Sequence, residues 1–147
     1  MSNQTIDALN DVTKTLIDSQ KGYEFACEQC DDSYRLRARF HQYANDRKEL
    51  AADFQNEVRK LGGEPVTSGG TTGAIHRVLT EFSSLFRDDE KAALAAIDDG
   101  EDHLRSEIES KLERDQLTQQ ARELLQRAHA SATEGERFAD CMEDADA

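Results

Sequence analysis

Apolar residues recur every three or four positions through most of the chain, and the breaks in that recurrence mark out four long amphipathic stretches. Ile6, Leu9, Leu16, Tyr23 and Cys27 form the first stripe, with Ile17 and Phe25 widening its edges. This spacing predicts a helix over about 4–29. Asp31, Asp32 and Ser33 then supply capping oxygens and acidic charge where a second helix would open. Its stripe is Leu36, Phe40, Tyr43, Leu50, Phe54, Val58 and Leu61, and it stops at Gly62-Gly63-Glu64-Pro65, since glycine tolerates a left-handed cap and proline cannot continue a helix. The second helix is therefore placed over about 33–61. Asp88, Asp89 and Glu90 open a third, over 89–114, with the stripe Leu94, Ile97, Leu104, Ile108 and Leu112. Leu117, Ala121, Leu124, Leu125, Ala128, Ala132 and Phe138 mark a fourth over 117–142.

The connections set the topology. Short links join helices one to two and three to four, so each pair reads as an antiparallel hairpin. The segment 62–88 is different, because it carries five of the eight glycines in its first twelve residues. After them, Ala74, Ile75, Val78, Leu79, Phe82, Leu85 and Phe86 keep helical spacing, which predicts a short extra helix. About 27 residues suffice to run the length of helices roughly 38 Å long, whereas an up-down bundle needs only about 2–8 there. The expected fold is an all-α, ferritin-like antiparallel four-helix bundle in one domain spanning 1–147, with a long crossover between helices two and three.

Composition sharpens this reading. Leu, Ile, Val and Phe make up about a fifth of the chain and the net charge is −13, which lies near the boundary of disorder. Order must come from the patterning, in a core rich in small residues with nine aromatics and no tryptophan. Such acidity repels phosphate backbones and anionic headgroups, so neither nucleic acid nor membrane is an expected partner. No apolar run approaches a spanning helix and the N-terminus lacks the pattern of a signal peptide, so the expected location is the cytoplasm.

Three stripes are interrupted by polar residues close to the middle of their helices: Gln20 lies between Leu16 and Tyr23, Arg47 between Tyr43 and Leu50, and Glu101 between Ile97 and Leu104. A buried charge is costly unless paired. The economical reading is a structural core polar layer, an Arg47–Glu101 ion pair with Gln20 and Asp18 completing its hydrogen bonds and no bound cofactor. The other reading is a metal site, with iron the expected ion. Ferritin-like di-metal centres use a Glu from each of two helices and Glu-x-x-His from the other two. No Glu-x-x-His occurs in the chain, and an arginine at that height puts a cation where a metal wants anions. Glu24, Glu49, Glu101 and His103 stay as candidates for a degenerate site. Cys27 and Cys30 form a Cys-x-x-Cys without the second pair of ligands or the βαβ setting that zinc or thioredoxin-like chemistry requires. Core packing or a thiol-based sensor are its two readings. His41 and His129 border their stripes and read as packed or surface residues. No phosphate-binding or nucleophile-elbow motif is present.

The stretch DRKELAADFQNEVRKLGGEP (46–65), the glycine-rich segment with GAIHR (73–77) and GED (100–102) together resemble the bacterial domain-of-unknown-function 2383 family of the ferritin-like superfamily. The likeness runs over about 5–130 and is weakest in the fourth helix. It implies a ferritin-like bundle and a bacterial source, with Glu101 and Arg47 matching acidic and arginine positions on the third and second helices, and no established activity. The expectation is a cytoplasmic, non-catalytic interaction or stress-associated protein, with a homodimer formed through leftover apolar residues such as Ile17, Phe25 and Leu125. The rival is a metal-dependent oxidase or iron-handling protein.

Overall fold

The computed structural model describes residues 2–29, 34–69 and 90–145. Four helices make up its regular structure: α1 (Ser2–Gln29), α2 (Tyr34–Lys60), α3 (Glu90–Leu112) and α4 (Gln119–Ala145). No strand occurs among the described residues, and the protein is an all-α four-helix bundle. The short helix expected within 74–86, and Cys30, lie outside the described residues.

Local chemistry explains the ends. α2 closes in a Schellman motif, in which Gly62 adopts φ +84°. The Gly63 N–H donates to Val58 O at 2.9 Å and the Gly62 N–H to Arg59 O at 3.0 Å, satisfying carbonyls that the helix leaves unpaired. α4 begins at Gln119, two residues later than the stripe suggested, because Thr118 is its N-cap: the Thr118 Oγ1 accepts the Ala121 N–H at 3.2 Å. Leu117 precedes that cap and packs on the core from outside the helix. α3 ends at Leu112 rather than 114, where Arg122 reaches back from α4 and donates to the carbonyls of Leu112 (3.0 Å) and Arg114 (2.8 Å).

Contacts between helices give the topology. Along the α1–α3 seam, Asp11 pairs with Lys111, Thr15 with Glu107 and Tyr23 with Glu101, so these helices are antiparallel. Along the α2–α4 seam, Asp53 pairs with Arg127, Arg47 with Ser131, and the Tyr43 ring with that of Phe138, which is again antiparallel. α1 and α2 also run in opposite directions, as Cys27 meets Arg37 and Tyr23 meets Phe40. α2 and α3 are therefore parallel and diagonal, and the connection from Lys60 to Glu90 joins opposite ends of the bundle. Its described start climbs α1. Gly63 lies against Ile6, Asn10 clamps the backbone of Glu64 and Val66, and Gly69 lies against Asp18.

The apolar interior has two parts. One, around Leu9, Leu16, Phe54, Ile108 and Leu125, fills the end at which α2 finishes. The other gathers Tyr23, Leu36, Phe40, Tyr43 and Leu94 at the opposite end. Alanines 121, 128, 132 and 139 line the inner face of α4 and let it approach closely. Ile17 and Leu125 are buried in the first part of the core, and Phe25 is partly buried against the second. The dimer face expected from these three residues is thus corrected, since two of them carry the bundle's own packing.

The αL conformation at Gly62 sets a simple test. Gly62→Ala forces a Cβ into a left-handed conformation and should cost about 1–2 kcal/mol, read as a fall of several degrees in the thermal midpoint. An unchanged midpoint would mean that the Schellman cap contributes nothing to the stop.

Candidate functional site

Between the two apolar parts lies a polar layer to which all four helices contribute. Arg47 of α2 is the largest fully buried side chain, with no exposed surface, and Glu101 of α3 is 3% exposed. Each sits one turn from large apolar neighbours on its own helix, so the helical repeat that builds the core also drives these two charges into it. They form a two-pronged ion pair, with the Arg47 Nη1 on Glu101 Oε1 at 2.6 Å and the Nη2 on Oε2 at 2.5 Å. The remaining donors are also used. Nη1 donates to Ser19 Oγ at 2.7 Å, Nε to Ser131 Oγ at 3.1 Å and Nη2 to Ser131 O at 3.1 Å.

The five N–H groups of a guanidinium thus find five acceptors. On the other side, Glu101 Oε2 also accepts the Tyr23 hydroxyl at 2.9 Å. The Tyr23 ring lies beside the guanidinium, 5.5 Å from Arg47 Cζ to the ring centroid, a cation–π contact. A Cβ at Gly135 of α4 would overlap Glu101 Oε2, so this glycine makes the room in which the carboxylate sits.

Electrostatics follow from this geometry. Burial pushes the Tyr23 hydroxyl well above its usual range, and the Glu101 charge adds to the shift while that of Arg47 opposes it. Burial works against the charged form of Arg47, but the hydrogen bond and charge of Glu101 outweigh it and hold the guanidinium more firmly protonated than usual. Burial likewise raises Tyr43, with Arg39 opposing.

The layer contains Arg47 and Glu101 but not Gln20. Gln20 turns outward and donates to Glu24 Oε1 at 2.7 Å. Residues 19 and 20 both fit the gap between Leu16 and Tyr23, and the long arginine leaves space only for the smaller one. Asp18 lies against Gly69 of the crossover. The completing groups are instead Ser19, Ser131 and Tyr23. Their signal in the sequence is the run of small residues on α4, where Ala128, Ser131, Ala132, Gly135 and Ala139 recur at helical spacing opposite a large buried side chain.

The metal candidates do not converge. Glu24, Glu49 and His103 are exposed on three different helices, and Glu101 is held by Arg47 and Tyr23. Glu49 faces a shallow cleft between α2 and α4 beside Arg127 and Glu134. Among the described residues, the acidic side chains that do gather are Asp98, Glu136 and Asp140, with oxygens within 4.8 Å of one another. They lie on the α3–α4 surface, where Glu136 already pairs with Arg105 at 3.2 Å. Cys27 is half-buried, with its thiol 3.4 Å from Arg37 O, and Cys141 is exposed. His41 meets Asn45 and His129 meets Glu109, both at the surface.

Two measurements test the layer. Arg47→Ala strands a buried carboxylate and should lower unfolding stability by about 3–5 kcal/mol, while Arg47→Met combined with Glu101→Leu should recover most of that loss. Urea unfolding of the three proteins reads both, and a single variant as stable as the parent would remove the pair from the core. The second measurement is alkaline titration. A tyrosine whose pKa is raised by folding contributes stability that is complete below its unfolded value, about 10. That stability is lost as pH rises through the folded value. Stability should therefore fall with pH above about 10, and less steeply in Tyr23→Phe. Phenolate absorbance growing in at ordinary alkalinity for every tyrosine of the folded protein would contradict the buried hydroxyl.

No helix among the described residues is long and apolar enough to cross a membrane. No curated protein matches the chain. The family model of domain of unknown function 2383 matches residues 4–114, which span α1, α2, the crossover and α3 and take in both Arg47 and Glu101. Three-quarters of the chain lies within that match, and the protein belongs to the domain-of-unknown-function 2383 family.

Proposed function

We propose that this protein is a ferritin-like bundle of the bacterial cytoplasm whose interior is structural, and that it acts without catalysis, as an interaction or stress-associated protein. The observation that carries this reading is the saturation of the central layer. Five guanidinium donors meet five acceptors, and the carboxylate of this layer, Glu101, is taken by Arg47 and Tyr23. A carboxylate-bridged iron centre needs several free anionic ligands at this height. Here a cation fills the space, so the residues present do not fit such a group. A buried layer with every partner satisfied supports register and uniqueness of packing, which suits a scaffold that offers its surface to another macromolecule. The surface is strongly acidic, with 31 acidic against 18 basic residues, and complements a basic protein partner better than an anionic polymer.

Elemental analysis of untagged protein, with and without added ferrous iron, tests the reading. The expected result is less than about 0.1 iron atom per chain and no change in thermal midpoint on adding iron. About two per chain, the stoichiometry of a di-iron bundle, would overturn it.

A further inference from the structure

The outer ridge of α2 on its α4 side carries opposite charges in two separate places. Arg35, Gln42, Asp46 and Glu49 follow one another at helical spacing, within about 60° around the helix axis. Arg35 stands exposed in the first turn of α2, where the positive end of the helix dipole disfavours a cation. Asp46, half-buried, and Glu49, exposed, border the cleft of about 330 Å³ between α2 and α4, with the exposed Glu134 on the opposite wall. Among the described residues, none of these four charged side chains makes a hydrogen bond or an ion pair. Arg127, also in the cleft lining, is already matched by Asp53 at 3.0 Å.

These charges have no way to meet within one chain, because the helix between Arg35 and Glu49 is about 21 Å long. Two copies remove that obstacle. Gln42 is exposed and lies midway between Arg35 and Glu49. A second α2 laid antiparallel over the first, about a two-fold axis at the level of Gln42, sets each arginine opposite the other copy's acidic cleft, and the symmetry makes the match twice. The crossover is attached elsewhere, since Gly69 lies against α1 and Glu90 opens α3. Two chains of net −13 repel one another at long range, so any attraction between copies has to come from local complementarity of this kind.

We propose that the α2–α4 face is a contact between two copies of this chain, in which Arg35 of each copy enters the cleft of the other and meets Asp46, Glu49 and Glu134. This goes beyond the reading of the protein as a non-catalytic bundle and does not depend on it. Sedimentation equilibrium tests it with charge reversals on either side of the contact. Pairs of exposed side chains are individually weak, so the parent chain should dimerise with a Kd of about 0.1–1 mM. Arg35→Glu and Glu49→Arg should each weaken self-association at least tenfold. An equimolar mixture of the two should restore it, because the mixed dimer sets the two reversed residues against each other and leaves one native pair intact. Glu49→Arg also lowers the net negative charge, so an association governed by net charge alone would strengthen in that variant. Arg35→Glu should keep or raise the thermal midpoint, since an acid suits the start of a helix, and this reads the fold independently of the contact. A parent chain that stays monomeric at about 1 mM, a single variant that associates as well as the parent, or a mixture that does not associate would each overturn the proposal.

Discussion

The Arg47–Glu101 ion pair is the constraint around which the bundle is arranged. Neither charge has water to fall back on, so the geometry of the pair is enforced by the cost of leaving either group unpaired, several kcal/mol per ion. Because the acceptors of Arg47 lie on α1, α3 and α4, a one-residue slip of any of those helices would strand a donor. An apolar layer of the same volume would tolerate such slips through repacking. The two apolar parts of the core fix how tightly the helices pack, and the polar layer between them fixes at what height.

The same layer accounts for the sizes of its neighbours. A buried arginine with its carboxylate occupies the cross-section that two large apolar residues would otherwise fill. Around it the other helices present Ser19, Ser131 and Gly135, and Ala128, Ala132 and Ala139 carry the small-residue face further along α4. The topology is tied in as well. Tyr23 and Glu101 meet only because α1 and α3 are antiparallel, which with two antiparallel hairpins makes α2 and α3 parallel. A long connection follows as a geometric necessity, and the sharp stop at Gly62 launches it along α1.

Much of this was legible in the residues. The stripes of the four helices, the Gly62-Gly63 stop and the polar gaps at Arg47 and Glu101 are periodic or local signals, which survive translation into three dimensions. What failed did so for a physical reason. Gln20 and Ser19 satisfy the 3.6-residue repeat about equally, and the choice between them depends on the volume of a side chain from another helix. Ile17 and Leu125 looked like surplus at the stripe edges, yet in a bundle with helices on two sides the buried arc is wider than one stripe. The carboxylates of Asp98, Glu136 and Asp140 come together across the α3–α4 seam, where no spacing within either helix announces them.

Tyr23 joins the ion-pair layer to the seam between α1 and α3. Its hydroxyl belongs to the layer and its ring to the wall of the seam. The packing of that seam therefore rests on a side chain whose position is set by Glu101, and withdrawal of Tyr23 would expose one edge of the buried pair.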